Sequence, residues 1–218
     1  MEKFILRQLI LLFLLAGIFN SCMTGDQLIL KEKVSPEVID VKLWYEKQKW
    51  NNDGFRMALP NGIKVTPLWP NWTMAFSEED EQCKYMGFNL EKRTPQTNST
   101  ESDEYGRYTV GIIGTASPES SAKYRETNDP RYLASTTRLV IRTNKETNEK
   151  HAFVMMAHPD LSYIEMHPDD PINHITYLNR GEKFNGFVIF YELDGNFSAG
   201  WRYTDGKAYA LMQRSGVK

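Results

Sequence analysis

Residues 138–157 read RLVIRTNKETNEKHAFVMMA, and their pattern decides the fold. Arg138 to Arg142 is a short apolar run between charges, Asn144 to Asn148 is polar, and Lys150 to Ala157 is apolar again. Two β-prone runs joined by turn-forming residues predict a hairpin. Further along, Phe187 to Glu192 (FVIFYE) reads as another strand, followed by Asp194-Gly195, Phe197 to Tyr203, Asp205-Gly206 and Lys207 to Met212. Asp-Gly suits tight hairpin turns, whose central residues take positive φ. Two such pairs separated by a short strand predict a meander. Prolines break the connection 158–181, which is expected to be loop.

Working back toward the amino terminus, Ser35-Pro36-Glu37 is a helix start: an N-cap, a proline in the first turn and an acid beside it. Val38, Val41, Trp44 and Tyr45 share one helical face, and Asn51-Asn52-Asp53-Gly54 is expected to end the helix. Residues 55–76 carry enough Pro and Gly for short strands and turns. Residues 77–107 and 114–136 are the most polar stretches and read as surface loops with at most a partial helix; Tyr108 to Ile113 is a short apolar run between them. The expectation is one α+β domain over residues 35–218. Its amino-terminal helix packs on an antiparallel sheet of five or more strands that ends in a carboxy-terminal β-meander.

Composition narrows the function classes. The 218 residues are 41% hydrophobic and 25% charged, the balance of an ordinary globular protein. A net charge of −2 supplies no basic field for nucleic acid, so no nucleic-acid partner is expected. Two cysteines exclude a disulfide framework and a four-cysteine zinc site.

The first 21 residues read as an export signal. Lys3 and Arg7 precede an unbroken apolar run of 11 residues, Leu9 to Phe19, the length of a signal-peptide core and too short to span a bilayer. Ser21 then precedes Cys22, where a bacterial lipoprotein places the thiol that accepts diacylglycerol. Phe19 and Asn20 depart from the usual Leu-(Ala/Ser)-(Gly/Ala)-Cys box. Residues 22–34 are expected to be a lipidated tether. With two or three acyl chains at about 0.8 kcal/mol per buried methylene, anchoring is effectively permanent. Cys83 is then the one free thiol of the mature chain.

Trp44-Tyr45, Pro70-Asn71-Trp72-Thr73-Met74-Ala75, the run 138–163, Phe184-Asn185-Gly186-Phe187 and the Asp-Gly turns around Gly200-Trp201-Arg202-Tyr203 together resemble a family of exported lipoproteins common in the phylum Bacteroidetes. That family carries no established activity. The resemblance implies a location and a general architecture, not a chemistry. The location is that of a lipid-anchored envelope protein at the outer membrane, with the periplasmic or surface face left open.

Candidate chemistry is sparse. His151, His158, His167 and His174 fall within one short stretch, and His158-Pro159-Asp160 and His167-Pro168-Asp169-Asp170 repeat a His-Pro-Asp unit. His158, Asp160, His167 and Asp169 are the candidate metal ligands, although their spacing matches no H-E-x-x-H pattern and solvated loop residues are the ordinary explanation. Trp69 and Trp72 flank Pro70-Asn71 and are the candidate glycan platform, since sugar C–H faces stack on aromatic rings. The alternative is that Trp44 fills the helix–sheet core while Trp69, Trp72 and Trp201 seal its edges. No nucleophile elbow or phosphate loop is present, and no catalytic residue or cofactor is called for.

Three readings follow. The favoured one is a non-enzymatic envelope lipoprotein that binds a protein or glycan partner and is held at the membrane by its lipid. The second is a metal-assisted hydrolase using the His-Pro-Asp loop around residues 158–170. The third is a module that adds its sheet edge to another protein.

Overall fold

In a computed structural model of the chain, the structure describes residues 34–48, 54–58, 67–92, 116–169, 172–181 and 183–212. Helix α1, Pro36–Glu46, begins where Ser35-Pro36-Glu37 directs it, with Glu37 in the first turn. It stops at Glu46, earlier than expected; Asn51 to Asp53 lie outside the described residues, and Gly54 takes a positive φ of 66°. The segment expected to be a signal peptide, Cys22 and the expected tether up to residue 33 also lie outside them. Among the described residues no helix is long and apolar enough to cross a membrane.

The body is a seven-stranded antiparallel sheet in which each strand pairs with the next in sequence. Strands β1, Trp69–Glu79, and β2, Cys83–Glu91, open it. Helix α2, Pro118–Thr127, and a 3-10 turn, Pro130–Leu133, follow. Strands β3, Thr136–Asn144, and β4, Lys150–Pro159, form the hairpin that the opening stretch of sequence specifies. After the short helix α3, Leu161–Met166, come β5, Gly186–Tyr191, β6, Phe197–Thr204, and β7, Lys207–Met212.

Two of these elements correct the sequence reading. The polar stretch from residue 77 contains the end of β1 and all of β2, not a surface loop. Within β2, Cys83 and Tyr85 face one side and Met86, Phe88 and Leu90 are buried toward the other. That alternation is short and sits between acids and the polar run after Glu91, which hide it. The turn between β1 and β2 is made by Asp80, whose carboxylate accepts from the amides of Gln82 (2.9 Å) and Cys83 (2.7 Å). These bonds, Cys83's first and that from the Tyr85 hydroxyl next, hold Asp80 below the usual carboxylate range. The second polar stretch contains α2, capped by Ser117, which accepts from the Ser120 amide, and ended by Asn128 in the left-handed conformation. Residues 93–115, with the apolar run Tyr108 to Ile113, lie outside the described residues.

Alternation along the strands builds two apolar layers. On one face Leu139, Ile141, Val154, Met156, Phe88 and Leu90 join Val38, Val41 and Tyr45 of α1. On the other, Val140, Met155, Ala157 and Val188 join Tyr163 of α3 with Ile172, Ile175 and Phe184 from the following segment. The Asp205-Gly206 turn obeys the predicted chemistry, with φ of 48° and 73°; at Asp194-Gly195 only the glycine takes a positive φ, 85°, within a longer connection from Tyr191 to Phe197.

Candidate functional site

The second face is covered along only part of its length, and the uncovered part forms a basin. Register places Arg142 opposite His151, Val140 opposite Phe153, Phe190 opposite Met155 and Val188 opposite Trp201, so these side chains share one side of the sheet. The segment after α3 buries Met155, Ala157 and Val188. Its Tyr177 and Arg180 form one wall of an open cavity of about 400 Å³. Phe153, Phe190 and Trp201 make the floor, Tyr203 stands beside Arg180, and Arg142, His151 and Glu192 mark the rim.

The rings brace one another. Phe153 and Phe190 meet at 5.8 Å and 60°, Phe190 and Trp201 at 5.5 Å and 78°, and Phe153 and Tyr177 at 5.2 Å and 61°. Edge-to-face contacts of this kind fix ring orientation without any bound ligand. Tyr177 is set by a tight turn in which the Thr176 amide and hydroxyl donate to the Asn179 carbonyl at 2.6 and 3.0 Å. The neighbouring Leu178 amide donates to Glu78 of β1 at 2.8 Å. Behind Tyr177, the Tyr85 ring lies 4.7 Å away, tilted by 31°, and its hydroxyl donates to Asp80 at 2.8 Å; burial and that carboxylate push its phenol well above the ordinary value.

The charges at the basin have no ion-pair partner among the described residues. The Arg180 guanidinium lies 5.2 Å from the Tyr203 ring centre and 5.8 Å from that of Tyr177, a cation–π arrangement, and its buried Nε has no hydrogen-bond partner among the described residues. Arg142, Arg180 and Glu192 belong to no ion pair among the described residues. An aromatic floor with guanidinium, imidazole, carboxylate and the Ser198 hydroxyl around it suits a polar ring-shaped ligand.

The sequence-selected metal ligands go elsewhere, and not together. His158 is not in a loop: it lies in β4, 3% exposed, with neither ring nitrogen hydrogen-bonded. Pro159 misled because it ends an interior strand. β3 begins at Thr136, opposite Ala157, so no β3 carbonyl waits for an N–H from Pro159. Burial pushes the His158 imidazole down to about 4. Asp160 sits at the start of α3, where both carboxylate oxygens accept from Arg202, Nη1 donating at 2.6 Å and Nη2 closing the second bond. His167 stacks on Tyr163 at 4.2 Å with Nδ1 3.0 Å from that residue's carbonyl, while the Tyr163 hydroxyl meets His174 Nε2 at 2.5 Å. Asp169 is exposed. Among the described residues no group of three or more His, Cys, Asp or Glu is placed to hold a metal ion.

Trp69 and Trp72 both lie on β1, each half-buried. Trp72 is wedged 5.6 Å from Tyr45 and 4.6 Å from Phe88, a packing role against the α1 layer. Trp69 covers Gly54: a Cβ there would fall 2.8 Å from its ring. Cys83 is buried in β2 as a free thiol. The basin escaped the sequence reading because Phe153, Phe190 and Trp201 look like core residues in a strand. The signal that could have found them is that three adjacent strands each put an aromatic on the same face: Phe153, Phe190 of FVIFY, and Trp201 with Tyr203 of GWRYT.

No protein-family model, curated protein or solved structure matches the chain.

Proposed function

We propose that the protein is a non-enzymatic binding lipoprotein of a bacterial envelope, anchored through Cys22 at the outer membrane, and that it holds a glycan in the aromatic basin. Its domain is an amino-terminal helix packed on an antiparallel sheet whose carboxy-terminal strands form a β-meander. The observation that carries this reading is the basin itself: three floor rings fixed by their neighbours and left open beside the part of that face that α3 and the segment after it cover. Stacking on such rings, with side-chain hydrogen bonds at the margin, is the way a protein holds a sugar without transforming it. The lipoprotein resemblance and the Ser21-Cys22 junction support the location, and the basin supports the ligand class in place of Trp69 and Trp72.

The test is a glycan array probed with the acylated full-length chain in detergent, followed by titration calorimetry on any hit. Saturable binding that is lost in Phe153→Ala and Trp201→Ala supports the reading. Absence of any glycan hit overturns it. A protein partner is the second reading, and β7 favours it. That strand pairs only with β6 among the described strands, and Tyr209 and Leu211 are 64% and 54% exposed. A proline at Tyr209 that abolishes capture of an envelope protein would establish edge addition.

A further inference from the structure

We propose that the basin takes a carboxylate-bearing sugar, a uronic-acid residue of an acidic polysaccharide, with Arg180 as the group that receives the carboxylate and Arg142 as a second positive charge at the rim. This rests on the reading of the basin as a glycan site and adds the ligand's charge.

Three observations carry it. First, Arg180 is held in place before any ligand arrives, its guanidinium 5.2 and 5.8 Å from the Tyr203 and Tyr177 ring centres. A guanidinium fixed in this way loses little side-chain freedom on meeting a planar acid, and its fork matches a carboxylate. Secondly, its buried Nε has no acceptor, and neither it nor Arg142 has an acidic partner among the described residues. Elsewhere the fold pairs its half-buried arginines: Arg202 with Asp160, and Arg131 with Asp129. Arg180 departs from that habit only at the cavity wall. Thirdly, the positive field is not uniform. Glu192 on the rim and the Ser198 hydroxyl both serve sugar hydroxyls, so the lining asks for hydroxyls beside the acid. A ligand with one acid, several hydroxyls and an apolar ring face matches the chemistry of the lining. At about 400 Å³ the cavity falls in the ordinary range for ligand clefts, about 300–1,000 Å³.

The experiment uses the acylated full-length chain in detergent and three probes: oligosaccharides of galacturonate, of mannuronate–guluronate, and of a glucuronate-containing repeat. Each is paired with its carboxyl-reduced neutral counterpart. At least one acidic probe should bind about tenfold or more tighter than its reduced form, and the difference should shrink as salt rises. Arg180→Gln should erase the preference. Arg142→Glu, at an exposed position on the rim, should narrow the gap between the acidic and reduced forms. Equal binding of acidic and reduced probes overturns the carboxylate proposal and leaves the glycan site standing. No binding of any probe, with a hit among other neutral glycans on the array, overturns this proposal alone. No binding to any glycan at all overturns both.

Discussion

Arg138 Nη2 donates to the main-chain oxygen of Asn173 at 2.7 Å, from a residue that is 1% exposed near the start of β3. The same guanidinium donates to the Ile175 carbonyl and, through Nε, to Asn89 Oδ1 at 3.0 Å, and it lies 3.9 Å from the Phe76 ring centre. One residue thus joins β1, β2, β3 and the segment that carries Tyr177 and Arg180. A buried arginine is tolerated only where its donors are used, and here the acceptors are mostly main-chain oxygens of an otherwise irregular segment.

Arg138→Met keeps the volume and removes the donors, leaving the Asn173 and Ile175 carbonyls without this partner. Each buried unsatisfied group costs about 1–3 kcal/mol, so a loss of about 3 kcal/mol in unfolding free energy is expected. Hydrogen exchange should locate the damage, with amides of residues 172–181 losing protection before those of β3–β4. Unchanged protection there would show that the segment is held by Ile172 and Ile175 alone.

Gly195 closes the β5–β6 turn at a φ of 85°, and its carbonyl accepts from the Ala58 amide at 2.9 Å. A Cβ at this position would fall 1.8 Å from the Arg56 oxygen. Gly195→Ala therefore combines left-handed strain with a backbone clash that no rotamer relieves, and should cost at least about 2 kcal/mol. Chemical denaturation measures it. A cost under about 0.5 kcal/mol would mean the 54–58 segment moves aside without consequence.

The strands from Thr136 onward were legible because each is bounded by its own turn chemistry: Asn144 accepts from the Glu146 and Thr147 amides, Asp205-Gly206 takes positive φ at both residues, and Gly195 does so after Asp194. Strands β1 and β2 were not. Pro70 sits in an edge strand with an irregular register between Pro70 and Ala75, where a missing N–H does no harm, and this cannot be told from a loop proline in sequence. The basin was illegible for a different reason. Whether Phe153 and Trp201 are core or floor depends on where the cover bearing Tyr177 ends, and that is set by long-range bonds such as Arg138 to Asn173.

His158 supplies a pH dependence whose sign is fixed by its burial. The folded imidazole titrates at about 4 against an ordinary 6.5, so between these values the unfolded chain takes a proton that the folded chain refuses. Stability should fall as pH drops from about 6.5 to about 4, by as much as about 3 kcal/mol, with no further contribution from this residue below that. Asp80, Asp129 and Asp194, all held below the usual carboxylate value, lose their contributions only at lower pH, so the windows separate. His158→Leu should flatten the upper window and match or exceed the parent at pH 5, because neither ring nitrogen has a partner to lose. Persistence of the same slope in that variant would assign it to other groups.

Trp72 and Trp201 separate packing from binding. Trp72 fills a gap between Tyr45 and Phe88 in the α1 layer, so Trp72→Ala should lower unfolding free energy by about 3 kcal/mol. Its effect on any glycan captured by the folded fraction should be small, since it lies in the layer on the opposite face of the sheet from the basin. Trp201 meets Phe190 edge-to-face and lines the cavity, so Trp201→Ala should cost less stability and remove most of the binding. Running both variants through the same melt and the same glycan titration gives a crossed pattern if the basin is the site. If Trp72→Ala abolishes binding at wild-type stability while Trp201→Ala does not, the platform is on β1, and the sugar stacks beside Pro70-Asn71 instead.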